Sequence, residues 1–146
     1  MAYEFKVTRR VEFSETDMAG IMHYSNFFRF METAEHAFFR SLGLSIVKSG
    51  EPPVGWPRVH AECDFKRPLY FEDEVEIHLL VKAKSSKALS YTFIFRKLNI
   101  SPPLEVARGA LTVVCVTHTP GGPMTACAIP DFVAGKIQTA PVELLA

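Results

Sequence analysis

The chain has no excess charge of either sign. Its 16 basic and 16 acidic residues cancel over 146 positions. Nucleic-acid-binding domains carry a basic footprint, and its lack argues against that class. Cysteine is also scarce. Cys63, Cys115 and Cys127 are odd in number and lack metal-type spacing, so neither a disulfide framework nor a structural metal site is expected. They read as reduced thiols of a cytoplasmic protein. No apolar run approaches the length of a membrane span. The start, MAYEFKVTRR, lacks the apolar segment of a signal peptide, so none is expected there. Repeats, low-complexity tracts and breaks in composition are likewise missing, and residues 1–146 are expected to form one domain.

Apolar side chains are what the sequence has in quantity. Hydrophobic residues make up 48%, and 12 residues are Phe. Such richness implies a large core, a subunit interface, or both. A domain of this length buries enough apolar surface to fold without disulfides or metal.

Residues 3–13 alternate. Tyr3, Phe5, Val7, Arg9, Val11 and Phe13 share one face, and Glu4, Lys6, Thr8, Arg10 and Glu12 the other, the pattern of a half-buried strand. A helix is predicted next, with Ser25 as N-cap and Gly43 as its stop. Phe27, Phe30, Met31, Ala34, Phe38 and Leu42 recur at helical spacing, and Phe28, Ala37 and Phe39 widen the apolar face. An apolar face that wide needs something to wrap it. Glu35 falls inside that arc, where it faces a pocket or partner or sits at the margin. Glu32 and His36 are four apart on the polar face and are expected to interact.

Strands dominate after the loop GEPPVGWP. Alternation runs over Val59–Phe65, Val75–Val81 and Leu89–Phe95, and a longer strand over Val106–Thr117. The turns KSSK, NISPP and TPGGP separate them, and DFVAGKI reads as a last short helix. Strand, long helix, then a meander of strands implies an α+β fold whose antiparallel sheet curls around the helix.

Chemistry concentrates at the helix entrance, in FSETDMAGIMHYSN. Asp17 lies between the first strand and the helix, and Gly20 permits a tight backbone path there. The free N–H groups of a helix start favour negative charge, including an oxyanion developing on a carbonyl. A carboxylate beside such a site can act as nucleophile or as base toward water. Taken alone, Asp17 also fits a cap or turn former, His23 a structural histidine and Tyr24 a packing residue.

RVEFSETDMAGIMHYSNFFRFMETAEHAFFRSLGL closely resembles the 4-hydroxybenzoyl-CoA thioesterase family of the hot dog fold. Asp17, Gly20, Tyr24 and Asn26 fall on that family's pattern without gaps. CDFKRPLYFEDEVEIHL resembles its second strand, proline break and the aspartate before its third strand, at Pro68 and Asp73. The resemblance implies about five antiparallel strands around one long central helix. It implies an acyl-CoA thioesterase in which Asp17 is the catalytic carboxylate and the backbone N–H near Tyr24 polarises the thioester carbonyl. His23 lies at a variable family position, and orienting water or Asp17 is the role expected of it. The implied assembly is a homodimer in which two sheets join edge to edge, or a homotetramer, with each site at a subunit boundary.

For the substrate, Phe27, Phe28, Met31 and Trp56 are candidates to line the acyl cavity, with Trp56 in a lid or in a plain connection. Lys84 and Lys87, with Lys82 nearby, are candidates for the coenzyme A nucleotide, although a solvated hairpin carries the same lysines. No cofactor beyond the coenzyme A of the substrate is expected. Two other functions remain open: an enoyl-thioester hydratase or dehydratase of the same fold, and a non-catalytic acyl-thioester binding protein.

Overall fold

Alternating apolar residues from Val75 to Val81 and from Leu89 to Phe95 become two long neighbouring strands whose inward side chains are buried to the last atom. The computed structural model describes residues 1–47, 53–118 and 121–146. In chain order, β1 (Glu4–Arg10) passes through a short 3-10 turn at Phe13–Glu15 to α1 (Ser25–Ser41). Then come β2 (Val54–Gly55), β3 (Arg58–Phe65), β4 (Glu74–Lys84), β5 (Ala88–Lys97) and β6 (Leu104–Val114). The chain closes with β7 (Val116–His118), β8 (Met124–Ala126), α2 (Asp131–Ala134) and α3 (Val142–Leu145).

Five strands form one antiparallel sheet in the order β1-β4-β5-β6-β3, and α1 packs on its inner face. This is the hot dog arrangement that the resemblance implied. The strand order corrects a simple meander. β3 pairs with β6 at the far edge of the sheet rather than with β4, so residues 66–73 carry the chain across the sheet. A second, three-stranded sheet, β2-β7-β8, was not anticipated. Its first strand lies inside the stretch read as a loop. Its second is the end of the stretch read as one long strand, which breaks at Cys115.

The apolar face of α1 does what its width demanded. Phe27, Phe30, Met31, Ala34, Phe38 and Phe39 are all buried against the sheet. Each large side chain contributes about 1.5–3 kcal/mol by leaving water. Met31 lies so close to β6 that a Cβ at Gly109 would stand 2.1 Å from its Cε, so any larger residue there requires the Met31 side chain to move. The helix ends as its sequence suggested. Gly43 adopts φ +76°, its N–H donates to the Arg40 carbonyl, and the Leu44 N–H donates to the Phe39 carbonyl. That pair of bonds is a Schellman stop.

Two local expectations change. The first strand ends at Arg10, and Phe13, 76% exposed, packs edge-on against Phe71 instead of entering the core. Arg9 stays inward by laying its guanidinium 4.6 Å from the Phe30 ring and pairing with Glu15. His78, on the opposite side of the alternation from Val75, Ile77, Leu79 and Val81, is buried as well. The C-terminal segment straps over that face, with the Ala140 N–H donating to the Val81 carbonyl. His78 lies between Glu4 (2.6 Å) and Arg96 (3.2 Å), and burial holds its pKa below the usual histidine value.

Candidate active site

The chain between β1 and α1 is fixed by its backbone. The Glu15 carbonyl accepts bonds from the His23 N–H and the Asn26 side-chain amide, both at 2.8 Å. Asn26 is itself buried, which ties the loop to the first turn of the helix. Within the loop, the Asp17 carbonyl accepts from the Gly20 N–H and the Asp17 N–H donates to the Ile21 carbonyl. Gly20 closes this turn at φ +83°, a conformation that strains other residues. The Met22 N–H then donates to the Leu69 carbonyl, which anchors the loop to the segment before β4.

This scaffold sets Asp17 half-buried with one oxygen committed. Oδ1 accepts the Ala19 N–H at 2.9 Å, while Oδ2 has no hydrogen-bond partner among the described residues. The helix entrance is organised differently from the expectation. Ser25 is the first helical residue, and Tyr24 flanks it in helical geometry with no side-chain cap. His23 takes that role in part. Its Nδ1 accepts the Ser25 N–H at 3.3 Å and lies 2.8 Å from the Ser25 hydroxyl, which leaves the ring proton on Nε2. The imidazole also stacks on the Tyr24 ring at 4.4 Å. The Tyr24 N–H has no acceptor among the described residues.

Asp17 and Tyr24 line one cavity of about 430 Å³. Its walls are apolar: Ile21, Met22 and Phe27 from the loop and helix, Phe65 from the end of β3, and Pro68 and Leu69 beyond it. Phe27 stacks edge-on with Phe65 and Phe95, at 5.1 and 5.2 Å. Lys66 and Arg67 bring positive charge to the same walls. The sequence reading missed the wall made by residues 65–69. Its signal was present in FKRPLY, where two cations and a proline follow an exposed strand end. Asp17 also borders a second concavity of about 510 Å³ beside Phe13, Met18 and Phe71.

The other expected site residues lie elsewhere in the protomer. Met31 is fully buried in the core and Phe28 packs at its margin, and neither lines the Asp17 cavity. Trp56 is buried against Phe39 and walls a separate apolar cavity of about 500 Å³ with Val54 and Val116. Residues 50–52 of the expected lid lie outside the described residues. The Lys84 ammonium donates to the carbonyls of Ala134 and Ile137, so it ties down the C-terminal segment. Lys87 is exposed. Glu35 is neither marginal nor in the Asp17 cavity. It is fully buried and paired with Arg58 from β3, with Tyr91 beside it. Burial raises its pKa, and Arg58 opposes that shift. Glu32 and His36 do interact, at 3.8 Å.

A carboxylate oxygen and an amide at a helix start, both unpaired among the described residues and belonging to residues that line one apolar cavity, make this a hot dog protein with the parts for acyl chemistry. The chain belongs to the Thioesterase-like superfamily, whose family model matches residues 11–137. It is 26% identical to the 1,4-dihydroxy-2-naphthoyl-CoA hydrolase of Picosynechococcus sp., covering 97% of this chain and 95% of that one. Matches to the proteins of that name from Synechococcus sp. (strain CC9902), Prochlorococcus marinus and Parasynechococcus marenigrum span 54–64% of their length. The solved gentisyl-coenzyme A thioesterase is 30% identical, with a TM-score of 0.76 over 89% of this chain and 99% of its own. The 4-hydroxybenzoyl-CoA thioesterase of Pseudomonas sp. strain CBS-3 shares the fold, with a TM-score of 0.81 at 22% identity over 91% and 99% of the two chains. The resemblance read from the Asp17 motif therefore holds for family and fold.

Proposed function

We propose that this protein hydrolyses an acyl-CoA thioester to a carboxylic acid and free coenzyme A in the cavity shared by Asp17 and Tyr24. The observation that carries this reading is that Asp17, with one oxygen unpaired among the described residues, and Tyr24, whose N–H at the start of α1 is likewise unpaired among them, line the same apolar cavity. The Tyr24 N–H and the positive end of the helix stabilise the oxyanion as the thioester carbonyl is attacked. Asp17 either adds to that carbonyl, giving a mixed anhydride that water opens, or takes a proton from the attacking water. The coenzyme A thiolate is a good leaving group, so no strong acid is needed, and no cofactor enters the reaction.

Gly20 keeps the Asp17 turn in shape, and His23 holds the helix entrance through Ser25. Phe27 and Phe65 present ring edges and faces to the acyl group, a lining suited to an aromatic acid. The names of two relatives, a 1,4-dihydroxy-2-naphthoyl-CoA hydrolase and a gentisyl-coenzyme A thioesterase, support the same choice. Of the two lysines expected at the nucleotide, Lys87 is the one whose ammonium is not engaged by carbonyls, so it is the better candidate. The assembly proposed is a cytoplasmic homodimer or homotetramer. Its support is β3, an edge strand exposed along almost its whole length with Val59 at 62% and Phe65 at 49%. A second copy paired along it would cover the edge and close the Asp17 cavity on the Phe65 side.

The test is thiol release from aromatic and aliphatic acyl-CoAs by the wild type and Asp17→Asn. Turnover of an aromatic thioester that falls about 100-fold or more in the variant is the expected result. Equal rates would return Asp17 to a turn residue, and no release from any thioester would leave a binding protein.

A further inference from the structure

Two of the three thiols stand together, away from the Asp17 cavity. Cys115 sits at the junction of β6 and β7, and Cys127 directly follows β8. The β7–β8 register pairs Val116 with Ala126, so its next step sets Cys115 opposite Cys127. The Cys127 N–H donates to the Cys115 carbonyl at 2.9 Å, and the two Sγ atoms are 3.5 Å apart. Directly opposed residues of an antiparallel pair have Cα atoms about 4.5–5.5 Å apart. That falls inside the roughly 4.4–6.8 Å that a disulfide bridges.

The backbone on both sides is already held in place. The Cys115 N–H donates to the Lys87 carbonyl, the Val114 N–H to the Pro57 carbonyl and the Ile129 N–H to the Ser86 carbonyl. Bringing the sulfurs into bonding distance therefore takes side-chain rotation, not movement of a strand. Both residues are free thiols in this structure, as is Cys63, which lies on the edge strand β3 opposite Gly109.

We infer that Cys115 and Cys127 are a covalent modification site: a hydroperoxide oxidant converts them to an intramolecular disulfide that staples β8 to the end of β6. Cys127 is half-buried and reacts first. Its sulfur attacks the peroxide, an S–O bond forms as the O–O bond breaks, and one water leaves. The Cys115 sulfur then attacks the sulfenic sulfur, the S–O bond breaks, and the Cys115 proton departs with the hydroxyl as a second water. Two thiols and one hydrogen peroxide thus give one disulfide and two waters. The order of events follows from burial, which pushes the Cys115 thiol up to about 12 and keeps it from reacting with oxidant on its own. The bridge closes a loop that contains β7 and β8. It thereby restrains Val116 and Met124, which form part of the wall of the cavity beside Trp56.

The test titrates the reduced full-length protein with hydrogen peroxide, then alkylates, digests and maps the peptides. The expected product has lost two hydrogens, links the Cys115 and Cys127 peptides, leaves Cys63 alkylated and reverts with dithiothreitol. Cys63→Ser keeps the bridge and Cys127→Ser abolishes it. The thermal midpoint of the oxidised wild type rises above that of its reduced form, and amide exchange across β7 and β8 slows. Bridging through Cys63, links only between chains, or over-oxidation of Cys127 beside an untouched Cys115 each overturn the inference. The wild-type peptide map decides the matter even if a serine variant fails to fold.

Discussion

Asp17 and Glu35 are both carboxylates set against the same hydrophobic helix, and they meet opposite fates. Asp17 stands before α1, half-buried, with one oxygen held by a backbone N–H and the other unpaired among the described residues. Glu35 stands in the middle of α1 with no exposed surface, ion-paired to Arg58 and next to Tyr91. At the helix entrance the side chain stays open to water and to the cavity, so the group stays available. In the core, the same charge is tolerable only with a cation against it. The difference separates a carboxylate able to do chemistry from one that ties a helix to a strand.

The contrast is most sharply broken at Arg58. Arg58→Met leaves the Glu35 charge buried and alone, with an expected loss on the order of 3 kcal/mol in urea unfolding. Adding Glu35→Leu should return most of that stability, because an apolar pair of similar volume needs no counter-charge. Asp17→Asn should behave inversely, losing about 100-fold in turnover while its unfolding free energy stays within about 0.5 kcal/mol of wild type. A large stability loss in Asp17→Asn would erase the distinction between the two acids.

Smaller effects probe the packing that supports both ends. Gly109→Ala puts a methyl group against the Met31 Cε, and an expected cost of about 1–3 kcal/mol should shrink when Met31 is also shortened to Val. Gly43→Ala forces a side chain into φ +76°, with about 1 kcal/mol lost and Gly43→Asn milder, both read from thermal unfolding.

A third carboxylate, buried like Glu35, sharpens the comparison through pH. For Asp73, burial pushes the pKa up, but the Tyr70 N–H, the Asn99 amide and Lys97 outweigh it and hold the value below 3.8. Its stabilisation is therefore fully present above pH 3.8 and is lost as pH falls through the lower folded value. Glu35 has the opposite sign. Its raised pKa gives stability that is present below pH 4.5 and lost as pH rises through the folded value. Asp73→Asn should flatten the acid limb of a stability-versus-pH curve, and Glu35→Gln the limb above pH 4.5.

Much of this was legible in the chain because it depends on local periodicity. The face of α1, its stop at Gly43 and the alternation of β4 and β5 each follow from residues within a few positions of one another. The helix entrance was legible as a motif, and the tight turn at Gly20 is present as read. What the sequence did not reveal depends on contacts between distant segments. β3 was read as an alternating strand, and it is an edge strand with both faces largely exposed. Its alternation cannot say what, if anything, lies beside it. The alternation showed no sign that His78 would be buried, because the C-terminal segment that covers it follows some 60 residues later. The cavity wall at Phe65–Leu69 was missed for the same reason, since the Met22–Leu69 bond that brings it to the loop joins residues far apart in sequence.

By itself, the sequence determined that one long apolar helix would be wrapped by an antiparallel sheet, and that a carboxylate would stand at the helix entrance. Side-chain spacing and the backbone preferences of glycine act over a few residues, and they suffice for that much. Only the tertiary structure decided that Glu35 would be neutralised by Arg58, that Phe65 and Leu69 would wall the Asp17 cavity, and that Cys115 would face Cys127. Each of these pairings depends on strand order and register, which are set by the burial of the whole sheet against the helix and not by any one segment.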